Sequence, residues 1–591
     1  MLDRLKRLLA SPRFPWIAAA LAVVLFLPTL DVGLMMDDYL HRVTYEGGFQ
    51  LAPRPSWDLF NFVSSEPAEL ARNREFGAVP WWAPPGFKLS FFRPLSGLSH
   101  WFDYHYFPDH PGVMHAENIL LFAGMVVLAG LLYRRFVASA WAAGLATLLF
   151  AWDDAHSFVV VWIANRNAIL AGLFGLLALW LHDRARRDGA RAAAVLAPLA
   201  LALALLSGEA ALATLGYLAA YALFLDDKSP RERLKSLAPH VVVAAMWAVV
   251  YKARGYGSAK GGFYIDPGGE PVTFVLAVFK RLPILLLAQF GLPPADLWPQ
   301  TGDTLVAPLL VATALLAGLG VVFARVLRKD RTCLFFATGM LLSLIPVCAT
   351  WPNDRLLLFS SFGAFGLIAT FLSRAFAVER PGPRFSARAV AGLMVLVHVV
   401  LAPLLLPIRA RTVGQLLHEY IENGARTLPR KAGSMYVVVN APDPLVASIA
   451  GSIHYHEKPE PLTSLPRLRQ LSILAEGDGT VERIDDHTLS LTASQGLFRD
   501  PMSQVFRSPS LHFHVGEVVT VSGMRVEIME VGAEGFPRRI NFRFDASLED
   551  PSLVWITWQH QGFVPFTPPA PGEKVTLSPA SLVEALTGQK P

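Results

Sequence analysis

Long apolar blocks separated by short polar or basic joints fill the first two-thirds of the chain. A bilayer core needs about 20 apolar residues per helix. Blocks of that kind lie at 14–34, 113–133, 137–152, 158–181, 190–206, 210–225, 237–252, 304–325, 332–350, 356–374 and 388–408, which predicts about eleven transmembrane helices. The first block is too long for a signal-peptide core, and no small-x-small cleavage site follows it, so it reads as an uncleaved anchor. A further apolar stretch at 272–291 has Lys280 and Arg281 at its middle, where a bilayer disfavours charge. It is expected to lie along the membrane surface, within an outer loop at 253–303. From about 409 the pattern changes to short alternating runs at 435–440, 518–530 and 553–558, set off by Gly, Asp and Pro, and these predict strands. The expected organisation is a transmembrane domain over 1–408, with a first outer loop at about 35–112, and a β-rich or α/β domain over 409–591.

Composition supports this α-helical polytopic reading. Of the 591 residues, 53% are apolar and 17% charged, against about 25% charged in soluble domains. That excludes a cytosolic enzyme, a nucleic-acid binder and a secreted disulfide scaffold. The net charge of +5, from 52 basic and 47 acidic residues, follows the positive-inside bias rather than an anionic partner. Arg4, Lys6, Arg7 and Arg13 precede the first block and place the N-terminus in the cytoplasm. Alternate joints stay basic, at Arg134-Arg135, Arg184 to Arg191, Lys228 to Lys235, Arg325 to Arg331 and Arg374 to Arg388, whereas 153–157 and 207–209 carry no Lys or Arg. An odd number of spans puts the C-terminal domain outside, in the periplasm if the membrane is a bacterial inner membrane. Cys333 and Cys348 would sit ~22 Å apart on one helix, beyond disulfide reach.

Against so little charge, the acidic pairs matter. Asp37-Asp38 follows the first block, where low dielectric raises carboxylate basicity and suits a general base. Adjacent helical residues diverge by ~100°, so one can face substrate while the other is held by its neighbours. The plainer alternative is that both solvate a helix end. His41, three and four residues on, leaves a divalent metal geometrically allowed but not favoured. A second pair, Asp153-Asp154 with His156, falls on the same expected outer face; a polar turn between helices is its simpler reading. Arg166 lies inside the fourth apolar block, which marks it as functional or carboxylate-paired. Arg93, Arg355 and Glu209 share the outer face, and guanidinium is the natural partner of phosphate. His454 and His456, read on a strand, suit two surface histidines better than a metal site.

The order of these motifs resembles the GT-C-type integral-membrane glycosyltransferases, above all the protein O-mannosyltransferase branch that uses polyprenyl-phosphate sugars. The acidic pair after the first span is matched by Asp37-Asp38. Arg93-Pro94-Leu95, Asp103, His115 and Asn118 are similar to that family's second motif. Trp162-Ile163-Ala164-Asn165-Arg166-Asn167-Ala168-Ile169-Leu170 resembles its fourth-span stretch, Gly208-Glu209 its Lys-Glu turn, and Asp354-Arg355-Leu356-Leu357-Leu358 its Glu-Arg-Leu-Leu-Tyr segment. The likeness covers about 14–375. The chain departs from it at Asp153-Asp154 and Phe158, where relatives have His-Pro and a following Glu, and no tetratricopeptide tail follows.

The resemblance implies transfer of a sugar from a polyprenyl-phosphate donor to an acceptor hydroxyl on a glycan, lipid or protein. Asp37 would be the base and Asp38 would orient the acceptor or hold the loop. Arg93, Arg166 or Arg355 would stabilise the leaving phosphate, in one inverting step that needs no cofactor. The other substrate-side candidates are Asp103, His115, Asn118, Asp153, Asp154, His156 and Glu209. The lack of a Walker-type glycine-rich loop is consistent with a donor that is not a nucleotide. The rival readings are a transporter or flippase of lipid-linked saccharides and a catalytically silent relative. Matching halves with broken spans, which a transporter often shows, are not evident.

Overall fold

The structure, a computed structural model, describes residues 2–46, 54–291, 293–298, 306–327, 330–375, 381–431, 433–457, 467–474 and 476–588. Two compact units divide the chain. One comprises Met1–Gly33, Phe92–Arg254 and Asp266–Gly414, and the other Leu34–Phe91, Gly255–Ile265 and Gln415–Pro591.

The first unit is helical, because only a helix satisfies every backbone group within a single apolar segment. Among the described residues, eight helices are long and apolar enough to cross a membrane: Pro111–Phe136, Ala140–Val161, Ile163–Arg187, Pro230–Ala253, Pro271–Gln289, Val306–Leu327, Asp354–Ala375 and Phe385–Thr427. Asp3–Ala10 and Phe14–Thr29, bent by 98°, would form a ninth if counted as one span. Pro12 lies in the break, where its ring and missing N–H end the first helix. Three shorter apolar helices, Arg191–Ser207, Glu209–Phe224 and Arg331–Val347, occupy other expected blocks. The chain is a multi-pass membrane protein.

Two blocks differ from their sequence reading, and the stretch expected to lie on the membrane surface is one unbroken helix, Pro271–Gln289. Its central Arg281 donates Nη1–H to the Cys348 carbonyl at 2.9 Å, which offsets part of the cost of that charge. The block at 158–181 is interrupted: a short helix Ser157–Val161 and a 3-10 turn Ile163–Asn165 precede the long helix Arg166–Arg187. Arg166 therefore opens a helix instead of lying two turns inside one. The last block passes through a π-turn at Leu396–Leu401 and continues as Ala402–Thr427. Pro403 follows that turn and cannot donate to a regular ladder, which the wider turn accommodates.

Close packing inside this unit depends on small residues. Helix Leu2–Ala10 packs on Ala140–Trp152, and a Cβ added at Gly144 would lie 2.0 Å from the Leu9 carbonyl oxygen. Gly144→Leu should therefore lower stability by roughly 1–3 kcal/mol, read as earlier thermal unfolding in detergent. Leu→Ala at the exposed Leu196, a control on another helix, should change it little. Cys333 and Cys348 are buried free thiols.

The second unit gathers three stretches of chain. Asn61–Val63, Lys88–Ser90 and Gly257–Ala259 form a small antiparallel sheet. A six-stranded antiparallel sheet runs in the order 574–577, 479–483, 488–493, 537–544, 524–531, 518–521. In a four-stranded sheet, Met435–Asn440 lies parallel to both Leu553–Gln559 and Arg467–Ser472, and Gly562–Pro565 adds an antiparallel edge. Met435–Asn440 is buried throughout, as a continuous apolar run flanked by parallel neighbours requires. Helix Pro444–Glu457 follows it, so His454 and His456 belong to a helix and not to a strand; their side chains lie outside the described residues. The expected β-rich or α/β C-terminal domain is present. It also incorporates part of the aromatic stretch that follows the first apolar block: Trp82 stacks on Phe498 with ring centres 4.2 Å apart, and Trp81 donates its indole N–H to the Gln470 carbonyl at 3.0 Å.

Candidate functional site

In the first unit the joint at 153–166 organises two side-chain constellations. The helix Pro94–Tyr106 starts with proline, brings Asp103 inward and keeps His100 one turn behind it. The helix Pro111–Phe136, also opened by proline, supplies Met114, His115, Glu117 and Asn118 from its first two turns. Arg166 meets them at the start of its own helix, fully buried. Its Nη1 lies 2.7 Å from Asp103 Oδ2 and 3.1 Å from Glu117 Oε2. Its Nε–H donates to Asn118 Oδ1 at 2.6 Å, and its Nη2–H to the Met114 carbonyl at 3.1 Å. Asn118 in turn donates its amide to the carbonyls of Val160 and Trp162, at 3.1 and 3.3 Å. His115 donates Nε2–H to the Gly33 carbonyl at 2.9 Å. Burial raises the Asp103 carboxyl, and the Arg166 guanidinium opposes that rise. With four protein contacts, Arg166 is committed to holding helix ends together.

The second constellation centres on Arg409, just after the last apolar block. Its Nη1 reaches Asp154 Oδ2 at 2.5 Å, and its Nη2 reaches Asp354 Oδ2 at 2.8 Å and Asp296 Oδ2 at 3.4 Å. Asp354 also accepts the Ala295 N–H at 2.7 Å. Burial, and then the Asp354 charge, push Asp296 up to about 6, while Arg409 pulls the other way. Asp153 is buried, with Oδ2 3.9 Å from His156 Nε2, and His156 Nδ1 donates to the Phe150 carbonyl at 3.1 Å.

Trp162 connects the two. Its carbonyl belongs to the Asn118 network, and its indole lies under the Arg355 guanidinium, 5.2 Å from the ring centre. This cation–π contact orients Arg355, whose charge also acts on Asp296. Among the described residues Arg355 forms no salt bridge, and it is half-buried. Arg93, by contrast, donates Nε–H to Glu209 Oε2 at 2.7 Å. All ten sequence candidates in this unit thus fall into three groups: the Arg166 network, the Arg409 network with Arg355, and the Arg93–Glu209 pair. Sequence reasoning missed Glu117, Asp296 and Arg409. Only Arg409 had a visible signal, as an isolated cation at the edge of an apolar block.

Asp37 and Asp38 belong to the second unit and start the helix Asp37–Tyr45. The residue before them, Met36, has φ 44° and ψ −114°, a conformation that a side chain with a Cβ resists. Asp38 is fully buried and its Oδ2 accepts the Met35 N–H at 2.9 Å, which locks the strained turn. Asp37 is half-exposed. Tyr39 anchors the next position, donating to Glu422 Oε1 at 2.7 Å, while His418 Nδ1 lies 2.8 Å from the Leu34 carbonyl. Burial, aided by the Glu422 charge, holds the Tyr39 hydroxyl well above its ordinary range, so it remains a donor. His41 is packed between the rings of Phe60 and Phe62, with centres 4.6 and 5.4 Å away. Among the described residues no group of three or more His, Cys, Asp or Glu converges in a metal-binding arrangement.

No protein family and no curated protein sequence matches the chain. Among solved structures it is similar to the Archaeoglobus fulgidus oligosaccharyltransferase in complex with Zn and sulfate. The TM-score is 0.39 at 14% identity, over 78% of this chain and 63% of that one. The chain thus spans less than two-thirds of the archaeal protein's length. It is also similar to ArnT from Cupriavidus metallidurans bound to undecaprenyl phosphate, with a TM-score of 0.37 at 13% identity over 76% of this chain and 88% of that one. The apo state of ArnT gives the same values. Likeness at this level carries no functional argument, which rests on the residues themselves.

Proposed function

We propose that this chain is a membrane glycosyltransferase of GT-C type, moving a sugar from a polyprenyl-phosphate donor to an acceptor hydroxyl at the outer face of a bacterial cytoplasmic membrane. The observation that carries the reading is the division of labour in the acidic pair. Asp38 is buried and accepts the Met35 N–H, and Asp37, the first residue of the same helix, is half-exposed beside a strained backbone position. The motif order read from the sequence supports the same assignment.

In this mechanism Asp37 takes the proton from the acceptor hydroxyl as its oxygen attacks the anomeric carbon. The bond from that carbon to the phosphate oxygen breaks on the opposite face, which inverts the centre. Polyprenyl phosphate leaves with the electron pair. In the helical unit Arg355, stacked on Trp162, is the cation whose chemistry suits a developing phosphate charge. Asp38 is a positioning residue. Arg166, Arg93 and Arg409 hold their helix ends through carboxylates.

The decisive experiment reconstitutes the purified protein in liposomes with radiolabelled polyprenyl-phosphate sugar and an envelope extract as acceptor. Label should pass from lipid to acceptor only in the presence of protein. Movement of the intact lipid between leaflets without transfer would overturn the reading in favour of a flippase. Arg355→Ala should slow transfer about 10²–10³-fold, the range for removing one preorganised charge-stabilising donor. Arg355→Lys should recover only part of that, because it lacks the planar fork.

A further inference from the structure

The second unit carries a cleft that the transfer reading does not use. It has a volume of about 300 Å³ and lies between its two larger sheets. One wall is the end of strand Leu553–Gln559, the other is strand Lys574–Leu577 at the edge of the six-stranded sheet, and the short helix Leu582–Thr587 closes one side. The volume reaches the lower end of the range for small-molecule sites.

Its chemistry is selective. Gln559, Thr576, Ser578 and Ser581 present amide and hydroxyl groups, and Phe566 contributes a half-buried aromatic side chain. No Lys or Arg lines the cleft, and Glu584 places a carboxylate in it. A phosphate or other anion is therefore disfavoured, while a neutral polyhydroxylated ligand finds both donors and acceptors.

A second observation points to the same place. His560 is the first residue of the two-residue turn between Leu553–Gln559 and Gly562–Pro565, and its φ is 54°. Hairpin turns of this length require positive φ at that position and ordinarily fill it with Gly, Asn or Asp. Here the chain keeps an imidazole instead. The indole N–H of Trp558 donates to the His560 carbonyl at 2.9 Å and fixes the turn. The imidazole Nδ1 of the exposed His560 then stands 3.5 Å from Oε1 of the half-buried Glu584 at the cleft. A side chain kept at such a position beside a cleft is consistent with a binding role.

We infer that this cleft is a binding site for a neutral saccharide, held by the amide and hydroxyl walls, packed on Phe566 and oriented by the His560–Glu584 pair. The inference stands on the cleft alone and does not depend on the transfer chemistry.

Calorimetric titration of the full-length protein in nanodiscs tests it, using maltotriose, mannotriose and chitotriose as probes. Inorganic phosphate and an Ala-Gly-Ser peptide serve as the contrasting ligands. Saturable binding of at least one trisaccharide is expected, weakened tenfold or more by Phe566→Ala and by His560→Gly. Glycine fits that turn without strain, so His560→Gly should unfold no earlier than the parent, separating a lost ligand contact from a damaged fold. Asp37→Asn should bind as the parent does, whatever becomes of transfer. No saturable binding of any trisaccharide, binding unaffected by both variants, or peptide binding in their place would overturn the inference.

Discussion

Asp37→Asn should abolish sugar transfer, with a loss of about 10²–10⁴-fold, the span attributed to a positioned general base. Asparagine has nearly the same shape and keeps an acceptor oxygen, so the helix Asp37–Tyr45 should form as before. The protein should reach the membrane at parental levels and melt at the parental temperature. The contrast with Asp38→Ala makes the prediction specific. That variant removes the acceptor of the Met35 N–H and releases a buried donor beside the strained Met36, which costs about 1–3 kcal/mol. It should lose stability and activity together, whereas Asp37→Asn should lose activity alone. Parental transfer by Asp37→Asn in the liposome assay would remove Asp37 from the role of base.

Arg166→Leu should be the most destabilising single change in the helical unit. It strips the guanidinium from Asp103 and Glu117 and leaves Asn118 Oδ1 and the Met114 carbonyl without their donors. Removing one partner of a buried ionic network costs about 3–5 kcal/mol, mainly because the remaining charge stays desolvated. The cause can be isolated. Adding Asp103→Asn and Glu117→Gln to Arg166→Leu discharges the orphaned carboxylates, so the triple variant should accumulate and melt closer to the parent than the single one. If all three substitutions together are no better than Arg166→Leu, packing volume and not charge holds this joint. Fluorescence-detected size exclusion during heating reads both outcomes.

Much of the architecture was legible because lipid imposes a simple rule on sequence. Most apolar blocks became helices of spanning length, and the runs at 435–440 and 553–558 became strands. What failed to show were features decided by tertiary partners. The Cys348 carbonyl that accepts from Arg281 lies 67 residues away in sequence and leaves no mark beside it. The segment at 34–91 carries no mark of the unit it joins, because the fit of Trp82 on Phe498 is a property of two distant stretches. Within the site, the sequence singled out the acidic pairs and three arginines by the scarcity of charge. It could not tell a guanidinium bound by carboxylates from one stacked on an aromatic ring. Arg166 and Arg355 look alike as isolated cations, and only their surroundings separate a guanidinium in direct contact with two carboxylates from one stacked on an indole.

The threefold passage of the chain through its strand-rich unit sets an order of assembly. Trp81 is made 389 residues before Gln470, whose carbonyl receives its indole N–H. Strand Lys88–Ser90 must likewise wait for Gly257–Ala259. During synthesis the aromatic segment therefore emerges long before its partners exist, through the time it takes to make most of the spans. A ribosome adding about 5–20 residues per second leaves it uncovered for tens of seconds. For this protein, misassembly begins with that waiting segment, and a holding chaperone or a bilayer surface that shelters its tryptophans would govern the yield of folded molecules.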